Sequence, residues 1–168
     1  MPVRKTMRLP GWNYSQNSAY FLTICAKNRK PIFSEIVGRG ILDAPKVRLY
    51  QYGEWVWQSI EFLCEKNAGV QLHNWVIMPN HVHLLLSICD ESQMCCGASG
   101  MPRPTNAVIP KYVSSLKRFT NRKACIDLWQ AGYYDHIIRD DVDFIQRWRY
   151  IDNNPSAWLE DDYYRGDF

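Results

Sequence analysis

The 168-residue chain is 46% hydrophobic and 14% aromatic, contains six cysteines and carries a formal charge of +3. Its length suits one domain with a buried core, its aromatic content excludes a disordered chain, and no apolar run approaches the about 18 residues of a membrane span. The basic start MPVRKTMRLPGW lacks the apolar stretch of a secretory leader and the cysteines contain no CxxC pair, so a cytoplasmic protein with reduced, non-ligand thiols is expected.

Residues 1–18 read as irregular. The run YFLTIC at 20–25 predicts a strand, ended by the polar turn AKNRKP. Over residues 43–66, Leu49, Tyr52, Val56, Ile60 and Leu63 recur at helical spacing, and Asn67-Ala68-Gly69 stops that helix. Apolar runs at 72–78 and 82–88 flank Pro79-Asn80 and predict a tight hairpin. Residues 89–107, rich in small residues and turn formers, form a candidate hinge within a single domain spanning 1–168, with Cys95 and Cys96 unexplained. A helix over 107–124 has Ile109, Val113, Leu116 and Thr120 as its inner stripe. YYDHIIR at 133–139 predicts another strand. Asp140, Asp141 and Asp143 suit the start of a third helix, and Pro155 should end it.

The order β-α-β-β-α-β followed by a helix matches a ferredoxin-like (RRM-like) α+β fold. Its antiparallel sheet would have helices on one face and leave the other open to a ligand.

Within VIMPNHVHLLLSI (76–88), alternate strand residues share a face. Val82, Leu84, Leu86 and Ile88 point to the core, and His81 and His83 point together to the other side. Such a pair either converges on a divalent metal or hydrogen-bonds on the sheet face. In the third helix, Phe144, Ile145, Trp148 and Ile151 form an apolar stripe, while Tyr150 lies on the polar side with Asp143, Arg147 and Asn154. Tyr150 and Asn154 are four residues apart and share a face, so a phenol nucleophile and a carbonyl ligand can reach one site.

His81-Val82-His83 resembles the His–hydrophobe–His motif of the HUH endonucleases, and Tyr150 with Asn154 resembles their tyrosine helix. With NWVIMPNHVHLLL, SSLKRFTNRK, LWQAGYYDHIIRDDVDF and RYIDNNPSAW, nearly the whole chain is similar to the REP-associated, single-tyrosine (IS200-like) transposases. The resemblance implies Mg²⁺ or Mn²⁺ held by His81, His83 and Asn154. It also implies attack by Tyr150 on single-stranded DNA near hairpin or palindromic repeats, through a 5′-phosphotyrosine that permits rejoining. The third ligand is often glutamine in such transposases, and Pro155 is expected to disturb Asn154, so Asp135 or His136 are alternative ligands. Tyr133 and Tyr134 are rival nucleophiles, disfavoured by their predicted strand.

The charge of +3 divides into +7 over residues 1–50, −4 over 51–102, +4 over 103–149 and −4 over 150–168. Basic blocks of this kind suit a polyanion. Arg4, Lys5 and Arg8 are expected to reach a DNA hairpin, and Lys117, Arg118, Arg122 and Lys123 to follow phosphates. Trp12, Tyr14, Trp129 and Tyr133 are candidates for base stacking or for the core. The partner expected is DNA and not a membrane. The chain is expected to act as a monomer or homodimer, nucleoid-associated when bound. Competing readings are a non-cleaving nucleic-acid-binding protein of the same fold and a hydrolytic metalloenzyme.

Overall fold

Aromatic and β-branched side chains alternating across the backbone give β1 (Ser18–Cys25) two distinct faces. The computed structural model describes residues 18–38, 44–88 and 108–164. The expected hinge at 89–107, the arm with Arg4, Lys5 and Arg8, and Trp12 and Tyr14 lie outside the described residues. After β1 come a hairpin of β2 (Ser34–Val37) and β3 (Lys46–Leu49), then α1 (Gln51–Lys66), β4 (Val70–Ile77) and β5 (His81–Ile88). They are followed by α2 (Val108–Ala124), β6 (Tyr134–Ile137) and α3 (Asp141–Asn153).

Four strands form an antiparallel sheet in the order β4-β5-β1-β6. Helix α1 carries the chain from β1 to β4, and α2 from β5 to β6, each crossing over one intervening strand. That is the expected ferredoxin-like arrangement. The β2–β3 hairpin is an addition. Sequence spacing assigns residues 43–49 to the helix, but β3 occupies Lys46–Leu49 and α1 begins at Gln51. Leu49 fits the helical spacing of the residues after it, and the four-residue alternation KVRL is too short to outweigh that pattern.

Tyr20, Leu22 and Ile24 of β1 and Val82, Leu84, Leu86 and Ile88 of β5 face Val56, Ile60, Val113 and Leu116 of the two helices. A bulge between Leu72 and Asn74 of β4 lets both Leu72 and Trp75 face this core. Trp75 stacks on Trp57 of α1 with ring centroids 3.9 Å apart. Each fully buried aliphatic side chain contributes about 1.5–3 kcal/mol.

The opposite face is not open, contrary to the expectation from sequence. Phe21, Val76, Met78 and Leu85 there pack with Ile151 of α3 and with Trp158. Asp140 caps α3 by accepting from Asp143 N at 2.8 Å. Asn74 of β4 ties it down, Nδ2 donating to Asp152 Oδ1 at 2.9 Å. The apolar stripe read from sequence is only half of what α3 buries: Ile151 is buried and Phe144 packs against the same cluster, but Ile145 and Trp148 are exposed. The sheet face beneath is partly polar, so the helix turns Arg147, Tyr150 and Asn154 toward it. Asn154 keeps helical angles (φ −56°, ψ −42°), so Pro155 does not displace it.

Candidate metal centre and tyrosine site

Register places His81 opposite Cys25 and His83 opposite Thr23 on the second face of the sheet. Both imidazoles are buried, with ring centroids 4.4 Å apart. Each Nδ1 is engaged at 2.9 Å, in His81 by Asn80 Oδ1 and in His83 by Thr23 Oγ1. Asn80 Nδ2 donates to the Tyr163 carbonyl at 2.8 Å, which fixes its oxygen as the acceptor toward His81. His81 therefore carries its proton on Nδ1 and offers a lone pair at Nε2.

Three buried polar atoms have no hydrogen-bond partner among the described residues: His81 Nε2, His83 Nε2 and Asn154 Oδ1. One such atom costs about 1–3 kcal/mol, so three together mark a place built for an electrophile. Asn154 Nδ2 donates to Asp161 Oδ2 at 3.1 Å, which leaves the amide oxygen as its free end. One ligand atom from each of His81, His83 and Asp161 lies within 4.8 Å of the others. Burial holds His81 well below the ordinary histidine range, His83 adds to this, and the Asn154 side chain opposes it. Burial pulls His83 down to about 3. Both rings are neutral at pH 7, the state in which imidazole ligates metal. This donor set fits a divalent cation.

Tyr150 stands against His83. Its ring meets His83 edge-on at 5.3 Å and Phe21 at 5.8 Å, and it is 41% exposed, so its face toward solvent is open to a substrate. Burial first, then Asp161 and Tyr163, push its phenol up to about 12, against the opposing effect of the Asn154 side chain. Arg147, one turn earlier on α3, lies over Phe21 at 5.5 Å and donates from Nε to Asp143 Oδ1 at 3.3 Å.

The alternatives read from sequence go elsewhere. His136 Nε2 bonds Asp143 Oδ2 at 2.7 Å. Asp135 pairs with Leu22, which puts it on the α1–α2 side of the sheet. Tyr133 packs against the main core, and Tyr134 is exposed on edge strand β6. Trp129 is a core residue, donating from Nε1 to Thr120 Oγ1 at 2.7 Å, and is not free to stack on bases. Lys117 Nζ donates to the carbonyls of Gln130 (2.7 Å), Ala131 (3.3 Å) and Gly132 (2.8 Å), so its three protons hold a loop. Lys123 donates to Gln58 at 2.7 Å and Arg118 lies over Phe119, while Arg122 is exposed.

Residues that the sequence did not single out complete the site. Thr23 and Asn80 orient the histidines, and the segment after α3 brings Asp161 and Tyr163. The Tyr163 ring lies 4.6 Å from His81, with the Arg29 guanidinium 4.8 Å over it. Asn80, adjacent to His81 in the sequence, was the only one carrying a local signal.

Residues 14–154 match the family described as Transposase IS200 like, and the chain belongs to that family of transposases, DNA-cleaving enzymes as a class. It is 29% identical over 173 residues to an uncharacterized protein of Haemophilus influenzae, covering 96% of this chain and 93% of that one. The structure of a REP-associated tyrosine transposase bound to a REP hairpin matches with a TM-score of 0.58 at 17% identity, over 85% of this chain and 69% of that one. That likeness shows a shared fold. Among the described residues, no helix is long and apolar enough to cross a membrane.

Proposed function

We propose that this protein is a metal-dependent single-strand DNA transesterase that cleaves and rejoins DNA beside hairpin or palindromic repeats. The observation that carries this reading is a set of three buried ligand atoms unpartnered among the described residues, His81 Nε2, His83 Nε2 and Asn154 Oδ1, with the two histidine rings 4.4 Å apart and the Tyr150 ring against His83. His81, His83 and Asn154 would hold Mg²⁺ or Mn²⁺. When bound, such an ion supplies Lewis-acid polarisation of a phosphoryl oxygen and positive charge beside the phenol.

Tyr150 Oη forms the new bond to phosphorus, the bond from phosphorus to the 3′ oxygen breaks, and the phenol proton passes through solvent to the departing 3′ oxygen. The products are a 5′-phosphotyrosine and a free 3′-OH. One phosphodiester is exchanged for another, so a second 3′-OH can reverse the step without a nucleoside triphosphate. Thr23 and Asn80 keep the two imidazoles oriented, and Asp161 keeps the Asn154 oxygen free. Arg118, Arg122 and the arm with Arg4, Lys5 and Arg8 supply charge for the DNA backbone. The REP hairpin bound by the solved structural neighbour makes hairpin DNA the first substrate to test.

Labelled hairpin with a single-stranded flank, incubated with the protein and Mn²⁺, should give an adduct that survives denaturant and is absent in Tyr150→Phe. Binding without an adduct would instead indicate a non-cleaving nucleic-acid-binding protein, and released product without an adduct a hydrolase.

A further inference from the structure

The family match ends at residue 154, yet the chain continues over the histidine pair. Trp158 is buried with its ring 6.0 Å from that of His81, and Tyr163 is closer still at 4.6 Å. Asn80 and Arg29 fasten this strap from the other side. Asn80 Nδ2 donates to the Tyr163 carbonyl at 2.8 Å, and Arg29 Nη1 donates to the Asp162 carbonyl at 3.1 Å. Between these ties the chain delivers Asp161. Its Oδ1 accepts from Tyr163 N at 2.7 Å and its Oδ2 from Asn154 Nδ2 at 3.1 Å. Each carboxylate oxygen has two lone pairs, so both bonds leave room for a cation.

We propose that Asp161 is a fourth donor to the metal, so that the ion is held jointly by β5, the end of α3 and the strap beyond it, and fastens the strap when it binds. This inference rests on the metal site proposed above. Its ground is the approach of an Asp161 oxygen to within 4.8 Å of a ring nitrogen of each histidine, combined with an Nε2 atom on each ring that has no partner among the described residues. Chemistry favours it as well. His81, His83 and Asn154 are all neutral and would leave a buried dication with its full charge, whereas one carboxylate offsets half of it. Two nitrogens and two oxygens are also a harder donor set than two histidines and an amide, in keeping with Mn²⁺ or Mg²⁺.

The test is Mn²⁺ titration of the full chain, read by the electron paramagnetic resonance of free Mn²⁺, with hydrogen exchange of residues 155–164 recorded with and without the ion. Asp161→Asn keeps one oxygen to accept from Asn154, gives up the bond from Tyr163 N, and removes the charge. The expected result is an Mn²⁺ Kd raised at least about tenfold in Asp161→Asn. Mn²⁺-dependent protection of the strap should appear in the parent and be absent in that variant. Wild-type affinity in Asp161→Asn, with loss only in Asp161→Ala, would overturn the inference and leave Asp161 as a prop for Asn154. His81→Ala is run alongside: unchanged affinity there refutes the metal site itself, whereas affinity lost there but kept in Asp161→Asn refutes only the fourth donor.

Discussion

On β5, Val82, Leu84 and Leu86 face α1 and α2, whereas His81 and His83 of the same strand face α3. Both sets are buried to the same degree. The first is packed among apolar side chains that need nothing more. The second holds polar atoms that nothing in the described chain satisfies. Burial therefore serves two ends in one sheet: on one face it stabilises the fold, and on the other it keeps two imidazoles neutral and dry at a cost in stability.

The widest separation of the two faces should come from His83→Leu. It removes a metal donor, and Mn²⁺ affinity by titration is expected to fall by about 10²-fold or more. Stability in urea should change little, since relief of the unpartnered Nε2 is offset by loss of the Thr23 Oγ1 bond to Nδ1. A large loss of stability would mean that the histidine face also holds the fold together.

Leu84→Ala, one residue away, should do the reverse. The chemical denaturation midpoint should correspond to a loss of about 2–5 kcal/mol. Mn²⁺ affinity of the folded protein should be unchanged. Thr23→Val then probes the boundary between the faces: removing the Oγ1 partner of His83 Nδ1 should weaken Mn²⁺ binding by about 10–100-fold without abolishing it.

A further effect is on pH dependence. The folded-state values of His81 and His83 are lowered, so the unfolded chain takes up protons near pH 6.5 that the folded chain refuses. The stabilisation is full above about pH 6.5 and is lost as the pH falls toward the folded values, which for His83 is about 3. The slope is at most about 1.4 kcal/mol per pH unit for each histidine. Urea midpoints of the metal-free protein between about pH 7.5 and about pH 5.5 measure it together with a share of the same sign from His73, which burial also lowers, while Asp161, raised by burial, acts in the opposite sense. His83→Leu should remove its share of that slope.

Much of this division was legible in the sequence. A strand's period of two sends alternate residues to opposite faces whatever surrounds it, so NHVHLLLSI alone assigned the histidines to one side and the leucines Leu84 and Leu86 to the other. Helical spacing likewise put Tyr150 and Asn154 on a common face, and the acids at 140–143 announced the start of α3. The stripe of Ile145 and Trp148 misled because a helix buries the face its neighbour requires, and here the neighbour is partly polar.

What the sequence determined by itself were relations within one element, because backbone geometry fixes them over a few residues. It determined the order of the main strands and helices, the histidine pair and the tyrosine–asparagine pair. The tertiary structure decided which elements meet. It brought α3 onto the histidines, sent Asp135 to the opposite side of the sheet, tied Lys117 to a loop, and carried Asp161 back over the site through contacts with Asn80 and Arg29. No spacing rule links residue 161 to residues 81 and 83. Their proximity is a product of packing and of hydrogen bonds that exist only once the chain has folded.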